Sequence, residues 1–285
     1  MPTAETLREE IARFVRENPE NRRRTAPEPY FDEPLVGFAS AADPLFAAYK
    51  GIIGPFHLTP AEVFEEAYGP GSLAAGTVIC WVLPVARAVR ESNRREERLP
   101  SRDWAHTRNF GEHFNDSLRR HVVSFLGRAG HRAVAPHLSP RWKRLDDTPV
   151  GIASTWSERH AAYAAGLGTF SLNDALITPR GIAHRLGSAV TDLVLEPSPR
   201  TFRDYRENCL TCRGQECGVC ITRCPAGAIS QAGHDKEACR RYSYGVVMEA
   251  VGAEYGVEIA GCGLCQTRVP CESRIPRGRG ARAGA

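Results

Sequence analysis

The chain of 285 residues contains no apolar run of the roughly 18 to 20 residues that a bilayer span needs. Its longest candidate, Val78 to Val85, has the length of a strand. A signal-peptide core is missing as well, because Met1 to Asn18 reads as an amphipathic helix with Leu7, Ile11, Phe14 and Val15 on one face. Arg22, Arg23 and Arg24 are not followed by an apolar stretch, so a twin-arginine export signal is absent. There is little excess charge. Lys and Arg exceed Asp and Glu by 37 − 33 = 4, and residues 272–285 hold four arginines against Glu272, which leaves +1 over residues 1–271. A surface that tracks phosphates would carry more. No repeat of fixed period is present, and a composition 42% hydrophobic and 25% charged excludes the disordered and fibrous classes. These absences predict a soluble cytoplasmic protein with no membrane partner.

Local signals then divide the chain. Residues 1–75 are a Pro- and Gly-rich lead-in expected to pack on the core, with a short helix marked by Thr59 as N-cap and Pro60 in its first turn. Thr77 to Leu83 is a near-continuous apolar run, the pattern of a strand covered on both faces. Ser101 can cap a long helix to about Ala129, with Trp104, Phe114, Leu118, Val122 and Phe125 at helical spacing. Strands are expected at Ala133 to Ala135, Asp174 to Thr178 and Ser188 to Leu195. Thr155 and Glu158 form a T-x-x-E capping box before a short helix ended by Gly166. The alternation predicts an α/β domain over 76–200. Composition changes after Pro197 to Arg206, so 207–275 reads as a separate small domain and 276–285 as a disordered tail.

Nine of the ten cysteines fall between Cys209 and Cys271. In a reducing compartment such clusters hold metal more often than disulfides. Cys217, Cys220 and Cys224 are spaced C-x2-C-x3-C and followed by Pro225, the latter part of the bacterial ferredoxin run. Two-residue gaps let successive thiolates reach successive irons, and the cysteine before proline is directed to a second cluster. The expectation is two 4Fe-4S clusters, one on Cys212, Cys217, Cys220 and Cys271, the other on Cys224, Cys239, Cys262 and Cys265. Cys209 competes with Cys212, because the insertion Arg213 to Glu216 leaves the register open. A pair of four-thiolate zinc sites is the competing reading. Cys80, inside the apolar run, reads as a small buried hydrophobe.

Ser157 to Pro197 resembles the corrinoid-binding segment of the epoxyqueuosine reductases and reductive dehalogenases. The likeness lies in Glu158, Arg159, Ala164 to Gly168, Asn173, Leu176 to Pro179, Gly181 and Leu186 to Leu193. CPAGAI at Cys224 to Ile229, Cys239 before Tyr242 and GCGLCQ at Gly261 to Gln266 match the same families. The resemblance implies a nitroreductase-like α/β domain that binds cobalamin, followed by a small bacterial-ferredoxin-like domain with two clusters. It further implies that Gly166, Leu167, Gly168, Thr169, Phe170, Asn173, Ile177, Leu186 and Gly187 contact the corrinoid. None of the nine histidines lies in a D-x-H-x-x-G motif, so cobalt is expected without a protein ligand.

Departures from the family bear on the substrate. Epoxyqueuosine reductases carry an acid in a YAR-x-x-DYH-like stretch, and WAHTRNFG at Trp104 to Gly111 puts Asn109 there. The helical repeats with which those enzymes hold tRNA have no counterpart after Cys271. Candidate catalytic residues are Arg159, Asn109, Tyr163 and His113, with Glu112 beside His113 on the long helix. Each has a plain structural alternative: an ion pair for Arg159, a solvated helix face for Glu112 and His113, the core for Tyr163. The implied function is an oxidoreductase that takes electrons from a ferredoxin or flavodoxin through two 4Fe-4S clusters to cobalt. It would remove oxygen or halogen from a small molecule, with no tRNA as partner. The alternative is an iron-sulfur electron-transfer or redox-sensing protein that binds no corrinoid.

Overall fold

The computed structural model describes residues 1–278. At its centre is an antiparallel sheet of four strands, in the order Leu35–Ser40, Thr77–Pro84, His184–Thr191, Ala133–Val134. All eight residues of Thr77–Pro84 are buried, and its side chains alternate between two cores. Ile79, Trp81 and Leu83 meet the helices Ala4–Glu17 and Arg102–Arg128 through Leu7, Ile11, Phe114 and Leu118. Val78, Cys80 and Val82 meet Phe46, Phe64 and Ala161 from the helices Pro44–Ile52, Pro60–Tyr68 and Glu158–Ala164. Helices on both faces remove the polar side that an antiparallel strand usually shows, which accounts for the unbroken apolar run. Cys80 sits at 0% exposure, opposite Gly37 and Ser188.

The long helix starts where its cap predicts, with the Ser101 side chain accepting from Trp104 N. The capping box at Pro60–Tyr68 is complete, with Thr59 and Glu62 reciprocally bonded. Other expectations need correction. Thr155 does not cap Glu158–Ala164. Its hydroxyl donates to the Arg141 carbonyl and accepts from Lys143 N, and the helix starts at Ser157 without a side-chain cap. The last core strand is His184–Thr191, four residues ahead of the expected position, and the preceding one shrinks to Leu176–Ile177. Residues 1–75 supply an edge strand and three helices packed on the two cores, so they belong to the α/β unit. Pro276 is buried, so the expected tail does not begin there, and from residue 279 on it lies outside the described residues.

The cysteine-rich segment has short elements: the helices Val219–Thr222, Lys236–Arg240 and Val247–Tyr255, a π-helix at Arg241–Val246, and a hairpin of two-residue strands at Ile229–Ser230 and Gly233–His234. Side-chain hydrogen bonds such as Asn93 to Thr267, Asn173 to the Cys265 carbonyl and Arg223 to the Glu96 carbonyl fasten it to the α/β unit, and one seam runs through the backbone. Ile182 N and Ala183 N donate to the carbonyls of Cys271 and Glu272. The buried Glu272 carboxylate is paired with Arg90 at 3.2 Å and Arg94 at 2.7 Å. Gly181, with φ of 85°, allows this approach, because a Cβ there would lie 2.3 Å from the Glu272 carbonyl oxygen.

Gly187 is fixed by the core. A Cβ there would lie 2.4 Å from the Trp81 ring, whose Nε1 donates to Asn115 Oδ1 at 2.8 Å. Gly187→Ala is therefore expected to destabilise the protein by about 1–3 kcal/mol through overpacking, measured as the shift of a urea unfolding midpoint at unchanged slope.

Candidate active site

The long helix Arg102–Arg128 points Trp104, Arg108, Glu112 and Arg119 at one side, at spacings of four, four and seven residues. These residues line a cavity of about 470 Å³ between the α/β unit and the cysteine-rich segment. Trp142, Trp156, Leu176 and Leu186 supply apolar wall. The side facing the cysteine-rich segment is formed by Cys224, Cys239, Cys262 and Cys265. A second, smaller pocket is lined by Cys209, Cys217, Cys220 and Cys271.

Charge is concentrated on the cavity floor. Arg119, 1% exposed, donates Nη1 to Glu112 Oε1 at 2.9 Å and to Asp116 Oδ1 at 2.6 Å. Its Nη2 donates to the Leu186 carbonyl at 3.0 Å and to Glu158 Oε1 at 3.4 Å. Arg185 closes on Glu112 Oε2 through Nε at 2.8 Å and Nη2. Burial pushes the Glu112 carboxyl up, but Arg185, Arg119 and Arg108 outweigh it and hold the group well below the usual carboxylate range. Glu158 goes the other way. Burial, offset only in part by Arg119, pushes it up to about 7, and its Oε2 is sealed from solvent without a hydrogen-bond partner. Burial also lowers His137 and His184 to about 4, so both rings are neutral. Glu112, Asp116 and His137 lie within 4.8 Å of one another, but Arg119 already occupies both carboxylates.

The thiols form two groups. Cys271 is pushed up to about 12 by burial and by Cys220, Cys209 and Cys217. Cys262 is pushed up to about 11 by burial and by Cys239 and Cys224. One group is Cys224, Cys239, Cys262 and Cys265, and the other is Cys217, Cys220 and Cys271 with both Cys209 and Cys212 beside them. Cys209 is buried and lines the small pocket, whereas Cys212 stands beside it, half-buried. Among the described residues, no three of these sulfur atoms lie within 4.8 Å of one another. Four thiolates on one tetrahedral zinc would be about 3.8 Å apart.

The residues expected to catalyse are not gathered at the cavity. Arg159 lines it, with Nη1 donating to the Asp174 carbonyl at 2.6 Å. Asn109 does not. It is buried on the neighbouring helix face, and its Oδ1 accepts from Glu258 N and Ile259 N, each at 3.1 Å. His113 is exposed, edge-on to Phe110. Tyr163 packs against Phe170 and Phe202 outside the cavity.

Most of the residues expected around a corrinoid are likewise engaged elsewhere. A Cβ at Gly166 would meet the Pro199 carbonyl oxygen at 2.6 Å, and one at Gly168 that of Ile177 at 2.4 Å. These glycines admit protein backbone. Leu167 is buried in the core, the Thr169 hydroxyl accepts from Asn208 N, and Phe170 packs on His160. Gly187 faces Trp81, and Ile177 lines the small pocket. Asn173 and Leu186 do line the large cavity. The charged stripe Arg108, Glu112, Arg119 was open to detection, because charges at helical spacing on a face that also carries Trp104 need buried partners. Tyr244, which also lines the cavity, gave no signal.

Comparison with solved structures finds this fold in a catabolic reductive dehalogenase, 16% identical over 85% of this chain and 30% of that one, with a TM-score of 0.51. A second reductive dehalogenase structure, described as suggesting a mechanism for B12-dependent dehalogenation, is 17% identical over 85% and 30%, with a TM-score of 0.50. Epoxyqueuosine reductase from Bacillus subtilis is 17% identical over 96% of this chain and 67% of its own, with a TM-score of 0.49. An epoxyqueuosine reductase with a tRNA stem loop matches at 17% identity over 94% and 66%, also with a TM-score of 0.49. The chain thus spans about two thirds of these epoxyqueuosine reductases and 30% of these two dehalogenases. No family model and no curated protein matches it. The resemblance seen in Ser157 to Pro197 and in the cysteine pattern is borne out as a shared fold. Among the described residues, no helix is long and apolar enough to cross a membrane.

Glu158 makes stability depend on pH. A carboxyl raised from 4.5 to about 7 in the folded state stabilises fully below its unfolded pKa, and that contribution is lost as pH rises through 7. Melting temperatures between pH 5 and 8 are expected to fall for the wild type and to fall less for Glu158→Gln, the difference amounting to at most about 3 kcal/mol. Arg119→Met, which leaves Asp116 without its cation and Glu112 with Arg185 alone, is expected to cost roughly 3–5 kcal/mol in denaturant unfolding.

Proposed function

We propose that the chain is a cytoplasmic reductase of a small organic molecule, dependent on two 4Fe-4S clusters and a corrinoid, that removes oxygen or halogen. One observation carries this reading. The quartet Cys224, Cys239, Cys262 and Cys265 forms a wall of the same cavity that holds the buried charges and the indole rings. A redox centre held there would face a substrate-sized space with no protein layer between.

The thiol donors fit the clusters they would hold. Thiols too widely spaced for one zinc suit a larger inorganic core. The first cluster would take Cys209, Cys217, Cys220 and Cys271, with Cys209 in place of Cys212. The second would take Cys224, Cys239, Cys262 and Cys265, in a domain of bacterial-ferredoxin type. A macrocycle would lie against Trp142, Trp156, Leu176 and Leu186, with Asn173 at its edge, and no ligand on cobalt is required. When bound, these groups supply electrons one at a time to a reducing metal centre.

The chain's own side chains do the rest. Glu158, about half protonated at neutral pH, can hold a proton on Oε2 and deliver it to a leaving oxygen or carbon, which Asn109 could not do. Arg119 and Arg185 keep Glu112 ionised and so keep the floor rigid. Arg159, alone among the four catalytic candidates, lines the cavity and can orient a substrate. A ferredoxin or flavodoxin is the proposed electron donor, and tRNA is not proposed as substrate.

Anaerobic purification with iron, sulfide and cobalt quantification tests this reading. About eight irons per chain are expected, falling to about four in Cys209→Ser and staying near eight in Cys212→Ser. Added cobalamin is expected to change its visible bands on binding. Zinc in place of iron would contradict the reading, and iron with unchanged corrinoid bands would favour a pure electron carrier.

A further inference from the structure

Four arginines and two glutamates, Glu112 and Glu158, line the large cavity. Arg119 and Arg185 are neutralised by Glu112 and Asp116. Arg159 stands beside Asp174, whose carboxyl it helps to hold down. Arg108 is different. Among the described residues its guanidinium has one hydrogen bond, a long one from Nη2 to the Tyr244 hydroxyl at 3.5 Å, and no ion pair. Glu112, whose carboxyl feels Arg108, is saturated, with Oε1 taken by Arg119 and Oε2 by Arg185.

This cation is also held in place. Gly261, with φ of 63°, packs on the Arg108 stem, where a Cβ would lie 3.1 Å from Arg108 Cγ. Tyr244 is carried by the π-helix Arg241–Val246, an uncommon geometry that is frequent at functional sites. The residue is 43% exposed and lines the cavity. A guanidinium without a carboxylate and a phenol beside it are the elements of an oxyanion receptor.

We propose that Arg108 and Tyr244 bind a terminal oxyanion, and that the substrate of this cavity is a small organic acid held by its carboxylate. The guanidinium donates two parallel hydrogen bonds to the carboxylate and the phenol donates a third. The acid's remaining atoms then extend inward, toward Glu158 and the thiol wall. This assignment rests on the cavity being the reductase site and narrows its substrate. A phosphodiester, as in the nucleotide tail of a corrinoid, shares the chemistry and is the one competing source.

The test is calorimetric titration of the anaerobically isolated protein, with the clusters it carries, using four probes: benzoate, benzamide, cobalamin and cobinamide, which lacks the phosphodiester. Benzoate is expected to bind and benzamide not to. Arg108→Gln should weaken benzoate at least tenfold, Arg108→Lys should keep part of the affinity, and Arg102→Gln, an exposed arginine on the same helix, should keep all of it. Equal benzoate and benzamide affinities in the wild type, or unchanged benzoate affinity in Arg108→Gln, would overturn the site. No benzoate binding, with cobalamin but not cobinamide weakened in Arg108→Gln, would overturn the substrate assignment and give the anion to the cofactor. If Arg108→Gln does not fold, Arg108→Lys and the wild-type contrast still decide. Benzoate binding through Arg108 without any corrinoid binding would sink the cofactor reading and leave this site standing.

Discussion

How the thiol-rich segment is fastened to the sheet determines everything at the cavity. Two backbone hydrogen bonds, from Ile182 and Ala183 to the carbonyls of Cys271 and Glu272, set its position along the strand. The buried Glu272 carboxylate, held by Arg90 and Arg94, then locks it. A buried carboxylate without its cations would be strongly destabilising, so the seam tolerates little slippage. With it in place, one thiol group lies behind the seam, with Cys217 exposed, and the other opens onto the cavity. The two are linked through the chain by the three residues between Cys220 and Cys224.

The cavity floor obeys the same electrostatic rule for another purpose. Arg119 is out of water and survives there because four acceptors surround it. Once Arg119 and Arg185 have satisfied Glu112, two groups are left without full compensation: the Glu158 carboxyl, which burial keeps partly protonated, and the Arg108 guanidinium, which lacks an anion. The one can release a proton and the other can receive a charged group. A site for reducing an anionic molecule needs both next to a source of electrons.

Much of this architecture was legible in the sequence. The apolar run Thr77 to Leu83 and the caps at Thr59 and Ser101 are local signals, and the structure follows them. The cysteine spacing proposes two sets of ligands because C-x2-C-x3-C-P constrains where each sulfur can reach. It could not choose between Cys209 and Cys212, since the insertion between Cys212 and Cys217 hides the register and only burial distinguishes them. The glycines of Ala164 to Gly168 misled for a physical reason: a glycine permits close approach, and the sequence does not say whether a cofactor or the backbone of Pro199 and Ile177 is approaching. Asn109 misled because one helical position, about 100° of rotation, separates it from Arg108, and the cavity lies on the Arg108 side. Tyr244 was invisible because its position depends on a π-turn that residue spacing does not reveal.

The central claim is that two iron-sulfur cubanes sit on these quartets and that one of them borders the cavity. Electron paramagnetic resonance of the dithionite-reduced protein, before and after addition of cob(II)alamin, tests it most directly. The account predicts two reduced-cluster signals that interact with each other, only one of which is broadened further by the paramagnetic cobalt. A single isolated signal, or two signals that both ignore the added cobalt, would contradict it.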